Sequence, residues 1–234
     1  MAIQTTFKRY ELKYLLTIGQ KERLLSWMDE YMEIDRYGRT TIRNIYFDTD
    51  NYRLIRRSIE KPRYKEKLRI RSYGLATPNS TVFVELKKKF DKVVYKRRLV
   101  LPEKDAMAWI CGNVPCPVDT QISREIDYFI EFYGQVKPAV FLSYEREAYR
   151  DRSGSDFRVT FDDRILYRRQ DLSLCSDVYG RPILPEGKVL LEIKCSGGLP
   201  LWMTQFLSRE KIYKTSFSKY GTAYQELISL PQIL

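Results

Sequence analysis

The chain has 234 residues, which allows one large domain or two small ones and is enough to bury a hydrophobic core. Lysine and arginine number 41 against 30 acidic residues, and this net charge of +11 indicates a polyanionic partner: nucleic acid, an acidic membrane surface or a phosphate-rich small molecule. Because the chain has no histidine, a histidine general base, a Ser–His nucleophile and an imidazole zinc site are excluded.

Hydrophobic periodicity divides the first half of the chain into strands and helices, with no internal repeat or linker. Apolar residues at helical spacing, among them Leu24, Leu25, Met28 and Met32, predict a long first helix. In chain order we expect a strand over 9–17, a helix over 18–35, a strand over 40–50, a helix over 51–60, and antiparallel strands over 64–74, 81–91 and 92–101.

The second half continues this mixture of helices and strands. Ser123 has the position of a helix N-cap, and Gly134 follows the last periodic residue of the same helix. The expected elements are helices over 102–112 and 123–134, strands over 139–151, 157–169 and 188–197, and two helical segments within 199–227.

About eight strands without βαβ alternation predict an α+β fold: an antiparallel eight-stranded β-barrel with helices packed outside, in a single domain over 1–234. The opening residues contain no apolar signal-peptide region, and no apolar run approaches the roughly 18 residues that span a bilayer. The four cysteines lack CxxC spacing. We therefore expect a cytoplasmic protein with reduced thiols, no zinc cluster and no membrane segment.

Charged residues recur at two-residue spacing in seven predicted strands, which places them on one face of each strand. In "EKLRIRSY", Lys67, Arg69 and Arg71 alternate with Leu68 and Ile70. The other positions are Glu11 with Lys13, Glu85 with Lys87 and Lys89, Lys96 with Arg98 while Arg97 takes the other face, Arg146 opposite Glu145 and Glu147, Arg158 with Asp162, and Glu192 with Lys194.

A solvated sheet face would explain this pattern in any one strand. Seven such strands would expose one continuous charged surface, while the amphipathic helices need an apolar sheet face to cover. We therefore expect the charges to face inward, where they must be paired or matched by a charged ligand. Lysine and arginine suit a polyphosphate, and glutamates suit a hard cation, Mg²⁺ or Mn²⁺, that bridges carboxylate and phosphate oxygens.

Short motifs in a fixed order give the sequence a family resemblance. They are Glu11 and Lys13 in "ExK", then "YFDT", "KLRIRSY", "ELKKK", "YKRR", "SYEREAY", "RVTFDD", "LEIK" and the late "FSKY". With them, the chain from about residue 7 to 225 resembles the VTC domain, the polyphosphate polymerase domain of vacuolar transporter chaperone proteins, in the CYTH or triphosphate tunnel metalloenzyme superfamily. Its length is similar to that of bacterial stand-alone copies of this domain.

The resemblance implies an eight-stranded tunnel that binds ATP with a divalent metal and moves the γ-phosphate onto a growing polyphosphate chain. Glu192 matches the metal-ligating glutamate, and we expect Glu11 or Glu85 to assist it. Ser218 and Lys219 match a pair that contacts phosphate near the transfer site. The matching basic residues are Lys13, Arg69, Arg71, Lys87, Arg146 and Arg158, with Lys96 and Arg98 in a further basic motif.

Three alternatives stay open at this point. With water as the acceptor, the same site would make a metal-dependent triphosphatase acting on inorganic triphosphate or a nucleotide. A non-catalytic module would bind polyphosphate or RNA, aided by stacking on the 32 Tyr, Phe and Trp side chains (18, 11 and 3). Glutamates among the regularly spaced cations favour a metal–phosphate site over nucleic acid. Glu11 and Glu85 could also be structural ion-pair partners.

Overall fold

The computed structural model describes residues 10–91, 93–112 and 114–229, and this part has six helices and ten strands. Residues 1–9 and 230–234, on which the predictions of a leaderless N terminus and of a domain over 1–234 partly depend, lie outside it. The helices are α1 Ile18–Met28, α2 Arg53–Ile59, α3 Glu103–Gly112, α4 Gln121–Tyr133, α5 Leu201–Arg209 and α6 Lys219–Ser229. The strands are β1 Tyr10–Thr17, β2 Met32–Asp48, β3 Tyr64–Tyr73, β4 Thr81–Phe90, β5 Val93–Pro102, β6 Lys137–Asp151, β7 Arg158–Arg168, β8 Arg181–Pro182, β9 Lys188–Cys195 and β10 Lys214–Thr215.

The first helix is shorter than its apolar spacing predicts. A reciprocal cap begins it: the Gln20 amide donates to Thr17 Oγ1 (3.1 Å), and the Thr17 amide donates to the Gln20 side chain (2.9 Å). The helix ends at Met28, and Met32 instead begins β2, with 2% of its surface exposed. Both methionines pack in the same core, so their four-residue spacing does not distinguish a helix from a helix followed by a strand.

The fourth helix begins earlier than predicted. Its N-cap is Thr120, and Ser123 is the third residue of the helix. The Thr120 amide donates to Ser123 Oγ (2.8 Å), and the Ser123 amide donates to Thr120 Oγ1 (3.1 Å). The two hydroxyl residues form one reciprocal cap, in which Ser123, predicted as the N-cap, is instead the third residue of the helix.

The sheet has ten strands, and the prediction of a closed eight-stranded barrel is wrong in both strand number and closure. Among the described residues, hydrogen-bonded neighbours follow the order β10-β1-β9-β7-β6-β2-β3-β4-β5, and β8 pairs with β7. The order therefore has two ends, β10 and β5. The eight longer strands correspond to the predicted runs, whereas β8 and β10 have two residues each and are too short to show a period.

The chain forms two compact units. The described residues of unit 1 are 10–41, 144–165 and 182–218, and the rest belong to unit 2. Strands β2, β6, β7 and β8 contribute residues to both. The single-domain assignment stays a prediction. In the described part of the chain, no helix is both long and apolar enough to cross a bilayer.

Each unit has its own hydrophobic core on one face of its strands. In unit 1, Tyr14 and Leu16 of β1 pack with residues of α1 and α5. In unit 2, Leu68 and Ile70 of β3 pack with α3 and α4, including Phe129. Within each unit, strand alternation places the intervening charged residues on the face opposite that core.

Candidate functional site

Glu85 of β4 lies among four cations of β3 and β5, a group called here the Glu85 cluster. Glu85 Oε2 lies 2.7 Å from Arg69 Nη2 and 3.8 Å from Arg71 Nη2. Glu85 Oε1 lies 2.6 Å from both Lys96 Nζ and Arg98 Nη2. Only 1% of the Glu85 side chain is exposed. Four cations thus share one buried carboxylate, which leaves the cluster with an excess of positive charge.

Burial and charge act in opposite directions on Glu85. Burial alone would raise the pKa of Glu85, but Arg69, Arg71 and Lys96 hold this pKa well below its usual range, so the carboxylate is ionised at neutral pH. Burial, with the nearby guanidinium groups of Arg98 and Arg69, lowers the pKa of Lys96 to about 7, although Glu85 opposes this shift. Changes of pH near neutrality therefore change the charge of Lys96.

Two uncharged residues of β2 hold the arginines of this cluster. Arg69 Nη1 donates to the Tyr46 hydroxyl (2.8 Å), and Arg71 Nε donates to Asn44 Oδ1 (3.0 Å). Asn44 is completely buried, and its Nδ2 donates to the Leu142 carbonyl (3.1 Å). A search for charged residues misses Asn44 and Tyr46, although their two-residue spacing matches that of the arginines they contact.

Strand β5 shows which residues of its basic run face the cluster. Lys96 and Arg98 contact the buried carboxylate, whereas Arg97 lies on the other face, with Nε 3.0 Å from Glu125 Oε2. Lys87 of β4 lies directly opposite Lys96 in the register. The predicted residues Lys87, Lys96 and Arg98 therefore share one sheet face.

A second group, called here the Glu192 cluster, lies in unit 1 on β1, β6, β7 and β9. Glu192 Oε1 lies 3.3 Å from Lys13 Nζ, and Glu192 Oε2 lies 3.2 Å from Arg146 Nη2. Arg146 also donates two hydrogen bonds to Asp162, both of 2.6 Å. Lys13 Nζ lies 3.3 Å from Glu11. Lys194 Nζ lies 4.0 Å from Glu192 Oε2, so three carboxylates and three cations make up this cluster, a more even balance than that around Glu85.

Asp162 is the acidic partner in the Glu192 cluster that the predicted site did not include. Its side chain is fully buried. Burial would lower the pKa of Arg146, but Asp162 and Glu192 raise this pKa well above its ordinary value, so the guanidinium remains charged. The alternation in "RVTFDD", which places Asp162 on the face of Arg158, is the sequence signal that could have identified it.

The three other predicted site residues have different surroundings. Arg158, at the start of β7, is exposed and lies opposite Lys194; it forms no ion pair with any described residue. Ser218, partly buried, follows Phe217, whose carbonyl accepts a hydrogen bond from Lys13 Nζ (3.0 Å). Lys219 begins α6 in unit 2 and is 8% exposed.

The predicted metal ligands differ in how they fit a cation. Within the described residues, no three acidic, cysteine or histidine side chains form a metal-binding group. Both oxygens of Glu85 lie 2.6–2.7 Å from cations, closer than the 3.2–3.3 Å that separate the two Glu192 oxygens from theirs, which favours an ion-pair role for Glu85. Glu11 and Glu192 both lie 3.3 Å from Lys13 Nζ and present carboxylate oxygens on adjacent strands. Mg²⁺ commonly uses one or two carboxylates together with substrate phosphates, so this pair fits such an ion.

Comparisons with known proteins identify a family and a fold. The model of the VTC domain family matches residues 8–228. The solved structure of a candidate adenylate cyclase from Bacillus halodurans superposes with a TM-score of 0.57 at 16% identity, over 92% of this chain and 96% of that one. A candidate adenylyl cyclase from Hippeastrum, described as having a dominant triphosphatase activity, gives a TM-score of 0.57 at 15% identity, over 92% and 95%. At these identities the likeness shows a shared fold. No curated protein matches the sequence.

Proposed function

The chain belongs to the VTC domain family, as its motifs predict, and on this premise we propose that it transfers the γ-phosphoryl group of ATP to inorganic polyphosphate. The observation that supports this function most strongly is the Glu85 cluster, in which four cations surround a single buried carboxylate. The Lys96 and Arg98 side chains are 39% and 36% exposed, so an anionic ligand can reach the excess positive charge around the buried carboxylate. A triphosphate supplies several negative charges in one ligand.

Phosphoryl transfer requires positioning and charge neutralisation more than covalent help from the protein. Arg69 and Arg71, held by Tyr46 and Asn44, would bind phosphate oxygens through their planar guanidinium groups. Arg98 and Lys96 would neutralise charge on the same phosphates, and Lys87 would extend this contact. Because no histidine or cysteine nucleophile is required, the composition of the chain agrees with this chemistry.

In unit 1, Arg146 and Lys13 would contact phosphate, and Asp162 would keep Arg146 in a fixed orientation. Glu192 and Glu11 would hold Mn²⁺ or Mg²⁺, which when bound neutralises charge on the phosphate that Arg146 and Lys13 contact. Arg158, exposed beside Lys194, would contact substrate from the surface. Lys219 and Ser218 would align the γ-phosphate or the acceptor.

A metal-dependent triphosphatase is the second candidate, since it differs only in using water as the acceptor. The triphosphatase activity described for the Hippeastrum protein, which shares this fold, supports it. Lys87, which lies directly opposite Lys96 of the Glu85 cluster, adds a further basic residue and favours a phosphate chain as the acceptor.

The test is incubation of the purified protein with ATP and either Mn²⁺ or Mg²⁺. Products are resolved on a gel stained for polyphosphate, and ADP and free phosphate are assayed in parallel. We expect long chains together with ADP, and loss of both in Arg69→Ala and Glu192→Gln. Lys88→Gln is the matched control, because Lys88 lies on the other face of β4, 3.7 Å from Glu66.

The other possible results of this assay would support the triphosphatase or the binding module in place of the polymerase. Free phosphate without chains would identify a triphosphatase. No turnover with either metal, combined with tight binding of polyphosphate or RNA, would identify a binding module. Activity that survives in Arg69→Ala would remove the Glu85 cluster from the site.

A further inference from the structure

The sheet face of β3, β4 and β5 that carries the Glu85 cluster is basic toward one end of the strands. The register places Arg69, Glu85 and Arg98 side by side across the three strands. The two rows that follow toward this end contain lysines, namely Lys67, Lys87 and Lys96 in the first row and Lys65 and Lys89 in the second. The positive charge of the face is therefore concentrated in the cluster and at this end.

Toward the other end of the strands, the same face is apolar and aromatic. The row next to the cluster on this side consists of Arg71, Phe83 and Val100. Tyr73, the last residue of β3, packs edge-to-face against Phe83, with 5.5 Å between the ring centroids. This contact places Tyr73 on the face of the cluster, as strand alternation requires. We call Tyr73, Phe83 and Val100 the aromatic patch.

The aromatic patch is accessible although it is apolar. Tyr73 is 50% exposed and Val100 53% exposed, and Phe83 is half-buried. On the core face of the same strands, by contrast, Val82 and Leu101 are 0% and 4% exposed. Apolar side chains that adjoin one another at the surface, in contrast to single exposed ones, commonly mark a site of interaction.

The aromatic patch directly adjoins the cations of the Glu85 cluster. The guanidinium carbon of Arg98 lies 4.6 Å from the centroid of the Phe83 ring. Nη2 of the same guanidinium group lies 2.6 Å from Glu85 Oε1. A ligand with a phosphate on Arg98 therefore reaches the aromatic patch with the group that is attached to that phosphate.

We propose that the aromatic patch is a nucleobase subsite, on which the base of a nucleoside triphosphate stacks while its phosphates bind at the Glu85 cluster. Such a ligand matches this face, because it is polyanionic at one end and planar and aromatic at the other. This inference rests on the proposed function, in which ATP is the donor, and adds where the base lies. It also orients the nucleotide, with the base toward Tyr73 and the γ-phosphate toward Lys67 and Lys87.

Stacking on the aromatic patch would distinguish one base from another only weakly. Phe83 and Val100 have purely hydrocarbon side chains, and the Tyr73 hydroxyl is the one polar side-chain group of the patch. Every base has an aromatic face, so stacking tolerates a change of base. The subsite would therefore distinguish a nucleoside triphosphate from inorganic triphosphate, and not ATP from GTP.

The experiment compares ATP with tripolyphosphate by titration calorimetry with the full chain, without divalent metal so that binding is measured apart from turnover. Tyr73→Ala removes one ring of the patch and leaves Phe83 and Arg98 in place. We expect ATP affinity to fall by about tenfold, since a stacking surface is lost, and tripolyphosphate affinity to change by less than about twofold. GTP should show the same loss as ATP.

Two further variants serve as controls. Tyr73→Trp keeps a large aromatic surface and should retain ATP affinity, which separates a loss of stacking from a loss of folding. Tyr95→Ala removes a tyrosine, 38% exposed, from the other face of β5, where it lies opposite Lys88. This variant should leave the affinities for ATP and tripolyphosphate unchanged.

Three results would overturn the subsite and leave the proposed function standing: an ATP affinity that Tyr73→Ala does not change, an equal loss for ATP and tripolyphosphate, and a loss confined to ATP or to GTP. A single-stranded RNA oligonucleotide that loses affinity in Tyr73→Ala while ATP does not would assign the aromatic patch to nucleic acid instead. If the wild type binds tripolyphosphate but not ATP, or binds neither, the proposed function fails as well.

Discussion

At Glu85, one carboxylate that is almost fully buried lies between four cations contributed by two neighbouring strands. Without it, Arg69 and Arg98 would lie across β4 from each other with no anion between them. The carboxylate therefore allows the cationic site to fold before any phosphate binds, and the remaining positive charge attracts the ligand.

Replacing this carboxylate should weaken the fold, and phosphate should restore it. Removing one partner of a buried ion pair typically costs about 3–5 kcal/mol, so Glu85→Gln should lower the free energy of unfolding by that amount. Tripolyphosphate should raise the melting temperature of Glu85→Gln more than that of the wild type, because it supplies the missing negative charge. Thermal unfolding with and without tripolyphosphate measures both effects.

Glu125→Gln is the matched control for this substitution. It removes the partner of Arg97 on the other face of β5, where the carboxylate is 23% exposed, so it should cost no more than about 1 kcal/mol. Equal stability of Glu85→Gln and the wild type would contradict the role given to Glu85.

The lowered pKa of Lys96, about 7, makes phosphate binding depend on pH. Lys96 is mostly charged at pH 6 and mostly neutral at pH 8, and a bound phosphate favours the charged form. Binding should therefore take up a proton above pH 7, and affinity for tripolyphosphate should fall as pH rises from 6 to 8. Calorimetry in two buffers of different ionisation enthalpy measures the proton uptake.

Lys96→Arg separates this effect from the titration of the ligand itself, because arginine stays charged throughout this range. The ratio of wild-type to variant affinity should decrease with rising pH. The same pH profile in both proteins would show that Lys96 is not the titrating group.

At the scale of strands and helices, alternation of charged and apolar residues predicts the elements that carry both clusters. Lys67, Arg69 and Arg71 all lie in β3, and Glu192 and Lys194 in β9, as expected. Alternation is readable in these segments because one face packs on a core and the other carries charge.

The antiparallel pairing of the consecutive strands β3, β4 and β5 was predicted, but the pairing of strands distant in the chain was beyond the reach of the sequence. Arg146, Asp162 and Glu192 are brought together because β7 lies between β6 and β9 in the sheet, although these strands are separated along the chain. Whether the sheet closes into a barrel depends on whether its two end strands, β10 and β5, pair with each other. The periodicity of residues within a strand carries no information about this pairing. Charge patterns also omit uncharged supporting residues such as Asn44 and Tyr46.

Strand β2 should influence phosphate binding through Tyr46 and Asn44, which contact Arg69 and Arg71 of the Glu85 cluster. Tyr46→Phe removes the hydroxyl that accepts a hydrogen bond from Arg69 but keeps the ring. Loss of one such bond is worth about 1 kcal/mol, so tripolyphosphate affinity should fall by roughly fivefold with little change in the melting temperature. Calorimetry and thermal unfolding together provide the measurement.

The matched control is Tyr133→Phe, which removes a tyrosine hydroxyl bonded to Glu66 on the other face of β3. Tyr133→Phe should change the melting temperature about as little as Tyr46→Phe does, and it should leave tripolyphosphate affinity unchanged. Equal losses of affinity in the two variants would mean that Tyr46 acts only through the fold.

At the scale of the whole molecule, the net charge of +11 gives every polyanion an attraction that does not depend on sequence or shape. Such attraction is screened by salt, whereas contacts at buried groups are screened much less. The response to salt therefore distinguishes binding at the half-buried Lys65, Lys67, Lys87 and Lys89 from binding around the buried Glu85.

We expect long-chain polyphosphate affinity to fall by about tenfold or more between roughly 50 mM and roughly 200 mM salt, with the logarithm of affinity linear in the logarithm of salt concentration. Tripolyphosphate, held mainly around Glu85, should show a shallower slope. Titrations over a series of salt concentrations give both slopes. Identical slopes for the two ligands would indicate that they bind the same groups.

The repetition of lysine at Lys65, Lys67, Lys87 and Lys89 has a consequence for how a bound polymer would move. Because lysine is a flexible point charge, a chain that advances by one unit can exchange each ammonium contact for an equivalent one, so its energy changes little from step to step. A catalyst with this property would be processive: each product would stay attached through many additions. Early in the reaction, a few very long chains would then coexist with unused ATP, and intermediates of ten or twenty units would be scarce.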